Sequence, residues 1–180
     1  MKLPALALAS TLAPALAWLT LPCAALAENF SSAYTTQDYQ KCALVSQEAG
    51  NTQRRCAGFA GVPVNWFGAD DAALVDFGHK GETGPSEGLT FAVAKDTIEW
   101  RGPMRGHGIA PLAAITRYAI CATISGPCHD ELYVYRLNGA QSSCVMAIVD
   151  GRNGDANIKA RQMADQIGGS FRCGKDAVRR

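Results

Sequence analysis

The side chains able to do chemistry in this chain are few and scattered. His79, His107 and His129 are the three histidines, and each lies in or beside a loop containing Gly or Pro, the first two within FGHKG and RGHGI. A histidine works as a general base when a nucleophile lies within hydrogen-bond reach and a third group orients the ring, and no local spacing here supplies that set. The chain has no G-x-S-x-G elbow, no H-E-x-x-H and no Gly-rich phosphate loop. Asp70 and Asp71 are adjacent, so in most backbones their carboxylates point apart. They read as a turn or a helix start rather than as an acid–base pair. No catalytic residue is expected.

One string mixes metal-ligand types. CATISGPCHDELY carries Cys121, Cys128, His129, Asp130 and Glu131. The C-x6-C spacing is longer than a zinc knuckle, and neighbouring His129 and Asp130 do not easily reach one ion. The alternative is a disulfide across the loop that holds Gly126 and Pro127. No C-x-x-C occurs, which argues against a thioredoxin-like redox role. Neither a metal nor a cofactor is expected.

The cysteines depend on compartment. The first residues, MKLPALALASTLAPALAWLTLPCAALAENF, hold Lys2, an apolar run to about Leu21 and then Ala25-Leu26-Ala27. Small residues at the first and third positions before a cut fit a signal peptidase groove, so cleavage is expected after Ala27, with residues 1–27 a signal peptide and 28–180 a single secreted domain. Pro4, Pro14 and Pro22 interrupt the helix that an uncleaved anchor needs, so no span is expected after cleavage. Pro22 also stands where a lipoprotein has a small residue before its cysteine, and Cys23 is expected to leave with the leader. Six cysteines remain: Cys42, Cys56, Cys121, Cys128, Cys144 and Cys173. An even number in an oxidising periplasmic or secreted compartment points to disulfides. The expected pairing is sequential: Cys42 with Cys56, Cys121 with Cys128 and Cys144 with Cys173.

Charge narrows the partners. The chain has 17 Lys and Arg against 16 Asp and Glu, and loss of Lys2 with the leader balances them. Such a chain has no general pull toward nucleic acid or an anionic membrane. Trp66, Trp100, Arg101, Arg105, Arg117 and Arg136 are the residue types that favour binding faces. Trp100 also has a place in a core, and the arginines can line strand exteriors, so they define no binding site by themselves.

The elements that must position these groups are mostly strands. LTFAVAKDTIEWRG reads as a hairpin turning at Lys95-Asp96, with Phe91, Val93, Ile98 and Trp100 on one face and Ala92, Thr97, Glu99 and Arg101 on the other. ELYVYRLNGAQSSCVMAIVDG reads as a second hairpin turning at Asn138-Gly139, with a loop of two or four residues. That register places Tyr133, Tyr135 and Leu137 with Cys144, Met146 and Ile148, and Leu132 and Val134 with Val145, Ala147 and Val149. Both faces are apolar, so the pair is expected to be central and covered on both sides.

In GDANIKARQMADQIGG, Ala156, Ala160, Met163, Ala164 and Ile167 form one helical stripe. Asn153 or Asp155 can start this helix and Gly168-Gly169 can end it. A Cys144–Cys173 bond would tie the strand before the helix to the segment after it and stabilise by roughly 3–4 kcal/mol. The N-terminal part can begin with a helix before turning to strands. There a tight turn at Gly50-Asn51 would leave Cys42 and Cys56 about 10 Å apart, beyond the roughly 7 Å a disulfide spans. Their pairing therefore requires a loop centred near Ala49.

From about Tyr34 to Cys173 the chain resembles a family of uncharacterised secreted proteins of alphaproteobacteria. The resemblance rests on CAGFAGVPV, LVDFG, IEWRG, AAITRY and LYVYRL, then on Cys144, ARQMAD and FRC in that order. It implies that Cys42, Cys56, Cys144 and Cys173 belong to the shared framework and that Cys121 and Cys128 are additional, compatible with their pairing together. This chain has Ala57 where the family often has proline, and Val145 where it often has histidine. The second departure argues against a shared catalytic histidine. No activity comes with the resemblance.

These readings converge on an α+β fold: a mostly antiparallel, curved β-sheet, in the limit a partial barrel, with one C-terminal helix packed on it and three disulfides. With no catalytic set assembled, the leading functional expectation is a non-catalytic periplasmic module that binds an envelope protein or cell-wall component, or inhibits a foreign enzyme. The alternatives are a hydrolase with a dispersed active site and an accessory subunit of an envelope complex.

Overall fold

The computed structural model describes residues 29–80, 91–123 and 125–180. The leader expected over 1–27, including Cys23, lies outside the described residues. The strands are β1 (Phe30–Thr36), β2 (Ala43–Glu48), β3 (Asn51–Phe59), β4 (Val62–Gly68), β5 (Ala73–Phe77), β6 (Ala92–Arg105), β7 (Gly108–Ile109), β8 (Ala113–Cys121), β9 (Cys128–Asn138) and β10 (Ser142–Asp150). The helix α1 is Ala156–Ile167, and a single 3-10 turn, Tyr39–Lys41, precedes β2. The helical start read in the N-terminal part is this one turn.

The strands form one mixed sheet in the order β10-β9-β8-β6-β5-β4-β3-β2. Long β6 has β8 along one edge; its other edge is shared by β5, through Val93, and by β1, along Thr97–Pro103. The sheet curls until the end of β5 meets the β9–β10 loop. His79 and Lys80 donate their backbone N–H groups to the carbonyls of Ala140 and Gln141 at 2.8 and 2.9 Å. Gly78 makes this approach possible: its φ is +113°, and a Cβ there would lie 2.6 Å from the Gln141 backbone.

Two cores share the sheet. The concave side encloses Val64, Val75, Phe77, Ile98, Trp100, Tyr118, Tyr133, Tyr135 and Leu137. The opposite side carries Ile115, Leu132, Val134, Met146 and Ala147 against Ala156, Ala160 and Ala164 of α1. The three helix alanines are at most 2% exposed, and their small side chains let the helix axis come close to the strands. Asp155 precedes the helix and Gly168 ends it, its N–H reaching the Ala164 carbonyl at 3.0 Å.

Two turn expectations change. Phe91–Arg101 contains no hairpin. Ala92–Arg105 is one strand, and two extra residues bulge out between the Ala94–Tyr118 and Ile98–Thr116 pairs. The Lys95-Asp96 pair that reads as a turn lies within this bulge. Ala92, Ala94, Ile98 and Trp100 therefore face the core, while Val93 is 45% exposed.

The β9–β10 hairpin exists, but its loop is the three residues between Asn138 and Ser142. A further bulge at Met146 puts Val145 in the concave core and turns Cys144 and Met146 to the helix side. The positions of Tyr133, Tyr135, Leu137, Ile148, Leu132, Val134, Ala147 and Val149 agree with the sequence pattern. β9 is interior. β10 is the edge, partly covered where Arg179 pairs with Ala147 and exchanges backbone hydrogen bonds with Met146 and Ile148.

The disulfides join Cys42 to Cys56, Cys121 to Cys128 and Cys144 to Cys173, with Cα separations of 4.7, 4.0 and 5.8 Å. The first depends on two local features. The β2–β3 turn is Ala49-Gly50, with φ of 45° and 84°, one residue earlier than the Gly50-Asn51 pair. A bulge at Val45 then shifts the register once more, so Cys42 falls beside Cys56.

Candidate functional site

The strongest polar convergence lies on the helix side of the sheet, where β1, β6, β8 and β9 meet α1. Cross-strand register builds it. Ser32 is opposite Arg101, Tyr34 is opposite Glu99, and Glu99 is opposite Ile115. Trp100 and Ile98 point to the concave core, so alternation sends Glu99 and Arg101 to the helix side. There Arg101 donates through Nε and Nη2 to both carboxylate oxygens of Asp165 at 2.8 and 2.7 Å. Arg161 grips Glu99 in the same two-pronged way, at 2.7 Å from Nε and 3.2 Å from Nη2. Such paired guanidinium–carboxylate contacts fix geometry as well as charge.

Ser32 connects the two pairs. Its hydroxyl donates to Glu99 Oε1 and accepts from Arg101 Nη1 at 3.1 Å. Arg161 Nη2 also reaches the Tyr34 hydroxyl at 2.9 Å. Glu99 is 7% exposed, and its hydrogen bond holds the Arg161 guanidinium more firmly protonated than usual. Both Glu99 carboxylate oxygens are held by Arg161, and the Ser32 hydroxyl is held between Glu99 and Arg101. The network anchors the helix to the sheet.

Beside it opens a concavity of about 350 Å³. Ile115 and Leu132 lie at its floor, and Tyr34, Lys95, Arg117 and Asn157 stand around it with Arg161. Arg117 bonds to Asp130 at 3.3 Å and to the Asn157 side-chain oxygen at 3.2 Å. Lys95 is exposed and forms no ion pair among the described residues. A second concavity, about 430 Å³, runs beside the β2–β3 hairpin past Ser46, Glu48, Gln53, Phe67 and Leu74. Glu48 is its one ionisable lining residue.

The histidines do not join either place. His79 follows β5, and its carbonyl accepts from Arg55 at 3.3 Å. His107 is exposed in the β6–β7 turn. His129 lies on β9, with Nε2 3.5 Å from Glu131. Asp70 and Asp71 are exposed between β4 and β5. Of the metal-like string, Cys121 and Cys128 are bonded to each other and Asp130 faces Arg117. Among the described residues no three His, Cys, Asp or Glu side chains converge as ligands.

The binding-type residues are dispersed. Trp66 stacks on Tyr39 with ring centroids 5.9 Å apart, and Trp100 is fully buried with its indole N–H on Thr35 Oγ1 at 2.9 Å. Arg136 turns to the carbonyls of Leu112 and Leu137, and Arg105 ends β6. Arg101 anchors the helix, and of these six residues Arg117 alone lines the basic concavity. Sequence reasoning missed Ser32, Tyr34, Lys95 and Arg161 as a group. The Tyr34–Arg161 contact spans 127 positions, and no short motif signals it.

The chain is thus a disulfide-stapled α+β protein with a curled sheet and a covering helix, and polar residues of the sheet and helix converge on a basic, aromatic-edged concavity. No family model, curated protein or solved structure matches it.

Proposed function

We propose that this is an exported, non-catalytic binding module of the cell envelope, gripping an envelope protein or cell-wall component through the concavity between β1, β6, β8, β9 and α1. The observation that carries the reading is the convergence of exposed Tyr34 and Lys95 with Arg117 and Arg161 around one hollow, where buried Glu99 is already paired with Arg161. Aromatic and arginine side chains together are the composition favoured at binding faces. Three disulfides are compatible with an oxidising compartment, and the N-terminal leader pattern supports export. Among the described residues no helix is long and apolar enough to cross a membrane.

A second reading has its own observation. β2 is an edge strand with all six residues exposed, including Leu44 at 54% and Val45 at 48%. An open edge of this kind suits an accessory subunit that adds a partner strand. One experiment separates the two. Purified residues 28–180 are used to capture ligands from peptidoglycan and from detergent-solubilised envelope protein. Lys95→Glu with Tyr34→Ala is expected to abolish capture, while Leu44→Lys leaves it intact. The opposite pattern overturns the concavity and favours the edge.

A further inference from the structure

We infer that the concavity takes the free carboxylate of a short peptide segment, an assignment that rests on its being the binding face. The argument begins with charge. Arg161 is committed to Glu99 and Arg117 to Asp130, so each contributes direction but little net charge. Lys95 is the one lining cation without an ionic partner among the described residues. The hollow therefore offers one positive charge in excess. A monoanion balances it. A phosphate dianion would leave a surplus negative charge close to Glu99, and like charges at that range repel.

The lining then selects what accompanies the carboxylate. Ile115 and Leu132 are only 4% and 3% exposed, so the floor offers too little apolar surface to hold a fatty chain. The rest of the lining is polar or charged apart from the Tyr34 ring. Asn157 accepts from Arg117 through its oxygen, which leaves its amide hydrogens to donate. Thr97 adds a hydroxyl, and the Tyr34 ring adds an exposed apolar face. Peptide units need such a mixture of donors, acceptors and small apolar contacts. A volume of about 350 Å³ suits a segment of two or three small residues.

The probes are N-acetyl-alanyl-alanine, with a free carboxylate, and its carboxamide, each titrated into 15N-labelled residues 28–180. Shift changes are expected to cluster at Tyr34, Thr97, Ile115 and Asn157. The carboxylate is expected to bind about tenfold tighter than the amide, the size of one charge-assisted hydrogen bond. Lys95→Ala should remove that difference and Lys95→Arg should retain it. Equal binding of the two probes, shifts elsewhere, no binding, or displacement by equimolar inorganic phosphate each overturns the assignment. If the dipeptide fails while Lys95→Glu with Tyr34→Ala still abolishes envelope capture, the ligand class falls and the binding face stands.

Discussion

Two phenols show how single residues sustain the curled sheet. β5 pairs with β6 only through Ala73 and Val93, so the peptide groups of Val75 face the core without a neighbouring strand. Tyr118 and Tyr135 supply what the missing ladder would. The Val75 N–H donates to the Tyr118 hydroxyl at 3.0 Å, and the Tyr135 hydroxyl donates to the Val75 carbonyl at 3.1 Å. The two hydroxyls are themselves 3.0 Å apart. Tyr118→Phe leaves a buried N–H unpaired and should cost about 1–3 kcal/mol in urea unfolding. Burial pushes both phenols well above their ordinary value of 10, and burial with nearby Glu131 pushes Tyr133 up to about 12. A raised folded-state value favours the protonated phenol, so this contribution is complete below pH 10 and is lost as pH rises through the folded value. Stability should fall above pH 10, and Tyr135→Phe should flatten that fall; an unchanged alkaline slope in the variant would count against the buried pair. None of this is readable in LYVYRL, where alternation places Tyr133 and Tyr135 on one face but does not say that β5 parts from β6 beyond Ala73.

At the scale of elements, the residue pattern specifies structure where one local rule governs and underspecifies it where two strands negotiate register. The alanine stripe of α1 is fixed by helical period alone, and Ala156, Ala160 and Ala164 are the buried set. The bulges at Val45, at Met146 and in β6 belong to pairs of strands and to the cores they face. Each moves side chains from one face to the other. That is why alternation puts Val93 and Cys144 on the wrong side yet places Ala147 and Val149 correctly. The concavity inherits this illegibility, because β1 and α1 bring its residues together from opposite ends of the chain. Helix packing offers a direct test. Ala160 is fully buried between α1 and the sheet, so Ala160→Leu must push the helix outward and should cost about 1–3 kcal/mol. The same substitution at exposed Ile158 should change stability little in thermal melts.

For the whole molecule, one sheet serves two cores, and the three disulfides restrain it in different ways. Cys121–Cys128 closes a sequence separation of 7 within a hairpin already held by its ladder. Cys42–Cys56 closes 14 and secures the exposed β2 edge to β3. Cys144–Cys173 closes 29 and encloses the helix, fastening the segment after α1 back onto β10. Chain entropy makes the longer closure worth more, roughly 2.5, 3 and 3.5 kcal/mol in that order. Replacing each pair by serines should lower the denaturant midpoint in the same order, with the β8–β9 pair least affected. Because α1 covers only the convex core, loss of Cys144–Cys173 should also raise hydrogen exchange in α1 before it does so in β4, β5 or β8. If exchange instead accelerates uniformly, the two cores unfold as one unit and the sheet transmits the loss of its helix to the aromatic core.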